Sequence, residues 1–258
     1  GASRDGFGIK GPLENALAFL DYDDDGEWDE EIEPSARTSE TGFFEFVHSS
    51  DDNFSTANVV ILADENTIDG SSGAALTGLK LTAPATAEVV SIATTLMVEA
   101  DMDESQVAEA LGLKDIENLQ SYNPYADTEN LSGEELTKAK QFESASQEVA
   151  TVIKSLAAAG EAAGLTSSEA VAVSVSGLAN AIKEKFDNAD GITSVTINLS
   201  DANDMSDMLA VVKNVQEAAD ALVTKKKADD PDFDEASVKT SVLKTAGDAS
   251  LQKVAEFN

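Results

Sequence analysis

The sequence predicts a mixed α+β protein in two parts, a β-rich domain over residues 1–84 and an alanine-rich α-helical domain over residues 85–258. Six of the ten phenylalanines precede residue 55. Apolar residues alternate with polar ones before Pro84, whereas they recur every three or four positions after it. At 258 residues the chain is long enough to bury one large core or two modest ones.

Two short segments of the first part are typical of β-strands. Leu17 and Phe19 share one face of the apolar run NALAFL, and Phe44 and Phe46 alternate with Glu45 in TGFFEFV. We therefore expect a strand on either side of the polar stretch that separates these two runs.

That polar stretch includes residues 21–33 (DYDDDGEWDEEIE), which hold nine acidic side chains and no lysine or arginine. Carboxylates this close repel one another unless protons or a cation neutralise them. Positions 1, 3, 5, 6, 7 and 9 of a calcium loop are filled by Asp21, Asp23, Asp25, Gly26, Glu27 and Asp29. Alternate carboxylates would converge on the ion, the glycine would permit the sharp turn, and position 7 would offer its backbone carbonyl. The alternative is a solvated acidic loop that binds nothing.

The residue that closes the metal shell departs from the calcium-loop pattern. Position 12 is Ile32, so Glu33 must close the shell from one residue later or Glu31 from one earlier. Because strands rather than helices are expected on both sides, the loop cannot act as an EF-hand sensor that changes an interhelical angle. We expect it to rigidify a β-domain.

Residues 5–46 resemble the calcium-binding B-type and prealbumin-like β-sandwich modules of large bacterial surface adhesins. The pattern of those modules runs D-G-Y, then F-x-D-x-N-x-N-G-x-x-D-x-G-E-P, then T-D-x-x-G-x-F-x-F. The matching residues are Asp5, Gly6, Phe7, Asp21, Asp23, Asp25, Gly26, Asp29, Glu33, Pro34, Thr41, Gly42, Phe44 and Phe46. A weaker likeness covers residues 61–113, which are similar to the segment that often follows such a module in giant repeat-containing surface proteins of the RTX or surface-layer type.

The resemblance implies an Ig-like or prealbumin-like antiparallel β-sandwich, followed here by an α-helical bundle. It also implies a secreted or cell-surface location, calcium as the bound cofactor, and a non-catalytic structural or adhesion role. The expected metal ligands are Asp21, Asp23, Asp25, Glu27, Asp29 and Glu33. Expected partners are neighbouring modules of the same surface protein, with self-association as a further option. Two alternative functions stay open: an adhesive tip that binds a glycan, a peptide or a mineral, and a fragment of a polysaccharide-acting hydrolase or its accessory.

Composition restricts the classes of partner. The net charge is -32, from 49 acidic and 17 basic residues, and such a surface repels nucleic acid and anionic membranes. The chain has no cysteine, which excludes disulfides and Cys-type zinc sites. No apolar stretch approaches the roughly 18 residues that a membrane span requires, so no membrane insertion is expected. The opening GAS is typical of an expression scar, which predicts an excised fragment.

The residues that catalysis would need are scarce. The one histidine, His48, follows the predicted strand and precedes Ser49 and Ser50, and no G-x-S-x-G stretch is present. Phosphate-binding, zinc-protease and dinucleotide-binding motifs are also missing from the sequence. We expect His48 to be a surface residue and the protein not to be an enzyme.

Helical spacing and capping residues predict the elements of the second part. The predicted helices cover residues 85–100, 103–111, 132–159 and 166–187, then one from Ser200 or Asp201 to Lys227, and a last one from Asp234 toward Phe257. Asp103 is the expected cap of the second, and capping boxes of Ser132 with Glu135 and of Thr166 with Glu169 are expected to open the third and fourth. Residues 192–199 are β-branched and alternate imperfectly, so they form either a strand or an extended connector. A helical bundle is favoured over an α+β domain with one short strand.

A second cation site is an open alternative near one end of the β-domain. The oxygen ligands available there are those of Asp51, Asp52, Asn53, Asp64, Glu65, Asn66 and Asp69. Ordinary turn chemistry is the better explanation, because Asp and Asn beside Gly70 are what such a turn requires.

Overall fold

The computed structural model of the protein describes residues 3–47, 50–73, 77–189, 195–201 and 203–257. These residues form nine β-strands and six α-helices, which confirms the mixed α+β class. Internal contacts divide the chain into two compact units, Gly1–Ser146 and Gln147–Asn258. The predicted domain boundary at residue 84 stays a prediction.

The first unit contains all nine strands. Their bounds are β1 (Arg4–Gly8), β2 (Leu13–Glu14), β3 (Leu17–Asp21), β4 (Ser35–Arg37), β5 (Phe43–Phe46), β6 (Asn58–Leu62), β7 (Ile68–Asp69), β8 (Lys80–Ala83) and β9 (Val89–Val90). They build three sheets in the orders β4-β3-β6-β8, β5-β1-β9 and β2-β7. Neighbouring strands are antiparallel, except that β1 and β9 run parallel.

Strand β3 is an inner strand of the four-stranded sheet. It pairs with β4 on one side and with β6 on the other. Phe19 and Leu20 are both fully buried, and because successive side chains of a strand point to opposite faces, both faces of β3 are covered. The predicted strand at Leu17 is therefore confirmed. Its last residue, Asp21, lies at the boundary between the apolar core and the acidic loop.

The prediction of a helix over residues 85–100 is wrong in its first half. Val89 and Val90 form strand β9 beside β1, which suits β-branched side chains. Helix α1 (Ile92–Glu99) begins only after Ser91, whose side chain accepts from the backbone of Thr94 in a capping box. Helix α2 (Glu104–Ala110) confirms the predicted helix at residues 103–111, with Asp103 as its N-cap.

The remaining helices are α3 (Gly133–Ala162), α4 (Ser167–Asp187), α5 (Ser206–Asp229) and α6 (Thr240–Phe257). The boundary between the two units falls within α3. In the second unit α4 and α5 approach closely at Gly177, where a Cβ would collide with Val215. The capping box of Thr166 with Glu169 at the start of α4 is confirmed.

Helix α3 begins at Gly133, which confirms the predicted start near residue 132, whereas the starts predicted for the last two helices are wrong. The expected box at Ser132 does not form in the described residues, where Glu135 pairs with Lys138 instead. Helix α5 begins at Ser206, because the preceding residues form local turns rather than a helix. Asp234 caps a single 3-10 turn, so α6 starts later, at Thr240.

Residues 192–199 lie partly outside the described part of the chain. Within that segment residues 195–199 are described, and they contain no strand. This agrees with the alternative of an extended connector.

A buried ion pair fixes the two-stranded sheet of the first unit. Lys10 Nζ donates to Asp69 Oδ2 at 2.6 Å, and the two side chains are 7% and 0% exposed. The hydroxyls of Ser71 and Ser72 donate to the same carboxylate. Burial alone would raise the pKa of Asp69, but the hydrogen bonds from Lys10 and Ser71 outweigh it and hold that pKa at about 2.

We predict that Asp69→Asn lowers the free energy of unfolding by about 3 kcal/mol at neutral pH, since it leaves the Lys10 charge buried without its partner. Because the pKa of Asp69 is lowered on folding, its contribution is complete above the unfolded value of 3.8 and is lost as pH falls toward about 2. The difference between variant and wild type should therefore shrink over that window in urea titrations.

The control is Asp64→Asn. It removes the partner of Arg37 from an ion pair whose side chains are 36% and 49% exposed, so its cost should stay below about 1 kcal/mol. Equal losses in the two variants would show that burial does not determine the strength of these pairs.

Candidate metal centre

The acidic loop connects two paired strands. Residues 22–34 leave β3 at Asp21 and return to β4 at Ser35, and Leu20 N donates to Pro34 O at 3.1 Å across the base of the loop. The prediction that strands lie on both sides of the loop is confirmed. The strand that directly follows is β4, which sequence reasoning missed, and β5 at Phe43–Phe46 comes after it.

Backbone geometry folds the first half of the loop inward. Asp24 and Gly26 adopt left-handed conformations with φ of +59° and +73°. Gly26 N donates to Asp21 Oδ2 at 2.9 Å, and Glu27 N donates to Asp25 Oδ1 at 2.7 Å. Glycine suits position 26, because a side chain there would be strained by the positive φ.

The inward fold gathers three carboxylates. Asp21, Asp23 and Asp25 each place one carboxylate oxygen so that the three atoms lie within 4.8 Å of one another. Two oxygens bound to one calcium ion at about 2.4 Å can be no more than about 4.8 Å apart. The cluster therefore meets the distance requirement for a shared calcium ion, and the donor set of carboxylate oxygens suits a hard cation.

Asp21 is the buried member of the cluster. Its side chain is 5% exposed, whereas Asp23 and Asp25 are exposed. Burial raises the pKa of Asp21, repulsion from Glu33, Asp24 and Asp25 adds to the rise, and the Gly26 N–H opposes it. The Oδ1 atom of Asp21 is buried and has no hydrogen-bond partner. A buried acceptor of this kind is costly, and a bound cation would satisfy it.

Glu33 closes the loop through hydrogen bonds. Its side chain is 5% exposed, and its two carboxylate oxygens accept from Tyr22 N at 2.8 Å and Asp29 N at 2.9 Å. Trp28 Nε1 donates to the Glu33 carbonyl at 3.2 Å. Glu31, the other acid considered for the closing position, is exposed. The sequence pattern identified Glu33 as a candidate ligand but gave no signal for its role as an acceptor of backbone N–H groups.

The other predicted ligands lie outside the three-carboxylate cluster. Glu27 and Asp29 are exposed, and Asp29 Oδ1 accepts from Glu31 N at 2.9 Å. Their assignment as ligands, through the backbone carbonyl for Glu27, stays a prediction, as does the assignment of Glu33.

Two residues beside the loop carried no sequence signal. Asn58 Nδ2 donates to Asp24 Oδ1 at 3.2 Å. Lys80, at the start of β8, places its Nζ against Gly26, where an added Cβ would collide with it. Both lie far from the loop in sequence, which is why a local pattern does not reveal them.

Ordinary turn and ion-pair chemistry accounts for the second group of acids. Asp64 pairs with Arg37, Asp69 pairs with Lys10, and Asp51 caps a 3-10 turn by accepting from Asn53 N. The described residues contain no second cluster of three carboxylates. His48 and Ser49 lie outside the described residues.

Comparisons with protein families, curated proteins and solved structures find no match to this chain. The resemblance to adhesin modules therefore rests on the residues quoted for it and stays a prediction. In the described part of the chain, no helix is both long and apolar enough to cross a membrane.

We predict that Glu33→Ala lowers the free energy of unfolding by about 2 kcal/mol in chelator, because the backbone N–H groups of Tyr22 and Asp29 lose their acceptors. Glu31→Ala removes the same charge from an exposed site and should change the free energy of unfolding by less than about 0.5 kcal/mol. Urea unfolding followed by Trp28 fluorescence measures the free energy of unfolding of both variants. Similar losses in the two would contradict the role of Glu33 as a hydrogen-bond acceptor that stabilises the loop.

Proposed function

We propose that the chain is a non-catalytic structural module stabilised by one calcium ion held in the loop at residues 21–33. The observation that carries this proposal is the cluster of Asp21, Asp23 and Asp25, with Asp21 Oδ1 buried and unpartnered. Calcium is the preferred cation, because a loop that offers carboxylate and carbonyl oxygens suits its variable coordination better than the strict octahedron of Mg²⁺.

Electrostatics supports a bound cation at this loop. None of the acidic side chains of residues 21–33 forms a salt bridge with a described residue. Elsewhere in the same unit, Asp64 and Asp69 are each neutralised by a basic side chain. The loop therefore keeps an excess of negative charge that an external divalent ion would reduce.

The position of the loop explains how binding would stabilise the fold. Asp21 is the last residue of β3, which pairs with both β4 and β6. An ion shared by Asp21, Asp23 and Asp25 would fasten the end of this inner strand to the loop that leads into β4. Since the unfolded chain would lack the assembled site, the binding free energy would add to the stability of the folded state.

The wider biological setting in this proposal comes from the resemblance. It supports a secreted or cell-surface location in bacteria, an Ig-like or prealbumin-like arrangement of the sheets, and neighbouring modules of the same surface protein as partners. A net charge of -32 supports the exclusion of nucleic acid as a partner.

We predict that calcium raises the Tm of the protein and that EDTA lowers it. At a free calcium concentration about one hundred times Kd the gain should be about 2.7 kcal/mol. Asp23→Ala combined with Asp25→Ala should abolish the difference between the calcium and EDTA melts, because two of the three clustered carboxylates are gone. Differential scanning calorimetry measures each melt.

The matched control is Glu30→Ala combined with Glu40→Ala. It removes the same charge from two exposed acids outside the cluster, so most of the calcium effect should remain. Coincident wild-type melts in millimolar calcium and in EDTA would refute the proposed function.

A further inference from the structure

Lys80 is the basic side chain that lies on the acidic loop. It begins strand β8, where its backbone pairs with Leu62 of β6. Its Nζ lies against Gly26, so closely that a Cβ on that residue would collide with it. Gly26 is also the residue whose N–H donates to Asp21, which places the ammonium group beside the three-carboxylate cluster.

The other basic side chains of residues 1–85 show why the position of Lys80 matters for the acidic loop. Residues 1–85 contain four basic side chains, and three of them are bound elsewhere. Those three are Arg4 on the carbonyls of Phe54, Ala57 and Ala85, Lys10 on Asp69, and Arg37 on Asp64. Lys80 has no acceptor or carboxylate among the described residues within hydrogen-bond or ion-pair distance. The positive charge of Lys80 can therefore act on the loop by electrostatic attraction at longer range.

We propose that Lys80 is a tethered counter-cation of the calcium loop, which supports the loop when calcium is absent and weakens calcium binding when it is present. This inference rests on the proposed function, because it concerns the regulation of the same site. The ammonium attracts the carboxylates of the empty loop and repels an incoming divalent ion. Lys80 therefore sets the calcium concentration at which the loop is filled.

Glu99 gives the ammonium group a second acidic neighbour. Burial raises the pKa of Glu99, at the end of α1, and the Lys80 charge opposes that rise. The charge of Lys80 thus acts on Glu99, while its Nζ lies against Gly26 of the acidic loop. When calcium occupies the loop, the flexible lysine side chain can turn toward Glu99 without losing all of its favourable interactions.

The test uses Lys80→Gln in the full chain. Isothermal titration of the chelator-treated protein with calcium chloride should give a Kd about tenfold lower than that of wild type, because a positive charge near the ion has been removed. In EDTA the same variant should melt below wild type, since the loop has lost its internal counter-charge.

Two further variants distinguish local charge from other effects. Lys114→Gln removes the same charge from a lysine that is 56% exposed and paired with Glu109, and its calcium Kd should stay within about twofold of wild type. Lys80→Arg keeps the charge and should keep the wild-type Kd, whereas a neutral side chain should not.

The outcomes separate this inference from the proposed function. If wild type and Lys80→Gln bind calcium with the same Kd, the counter-cation role is overturned and the calcium-stabilised module stands. If Lys80→Gln binds calcium and wild type does not, the counter-cation role is supported and calcium stabilisation of the natural chain is overturned. If neither protein binds calcium, both proposals are overturned.

Discussion

The burial of one carboxylate, that of Asp21, is the constraint on which the candidate site depends. Register fixes its position, because β3 pairs with β4 and β6 at once and Asp21 lies opposite Asn58. Phe19 and Leu20 are held in the core, so the strand cannot slide to bring Asp21 into solvent without exposing them. The loop must therefore provide positive charge or hydrogen-bond donors at a fixed point.

The loop meets this demand in part through its own backbone. Gly26 N donates to Asp21, and the N–H groups of Tyr22 and Asp29 donate to Glu33. Each such bond favours the ionised carboxylate and also shapes the turn. Backbone donors nevertheless leave Asp21 Oδ1 without a partner, and they carry no net charge. The proposed cation would satisfy the orphan oxygen and reduce the excess negative charge together.

Local interactions explain which features could be predicted from the sequence. The convergence of Asp21, Asp23 and Asp25, the strand at Leu17, the N-cap at Asp103 and the capping box at Thr166 all depend on residues within a few positions of one another. Strand β9 depends on pairing with a segment more than 80 positions away, so the helical spacing of apolar residues from Val89 onward gave the wrong structure at Val89. Lys80 reaches the loop for the same non-local reason, through the pairing of β8 with β6.

The two units differ in how charge enters their stability. In the second unit two close approaches between helices are apolar: Gly177 meets Val215, and Gly247 lies against Leu156 and Val212. Its ion pairs are solvent-accessible, which limits what each contributes. In the first unit, by contrast, the carboxylates of Asp21, Glu33 and Asp69 are buried. Each of them requires a hydrogen-bond donor or a positive charge in place of the bulk water it has lost. Lys10 pairs with Asp69 and backbone N–H groups donate to Glu33, so Asp21 and its loop are the part of this unit on which the proposed cation would act. Calcium would therefore stabilise the fold through the hairpin of β3 and β4, where Asp21 ends one strand and the loop leads into the other.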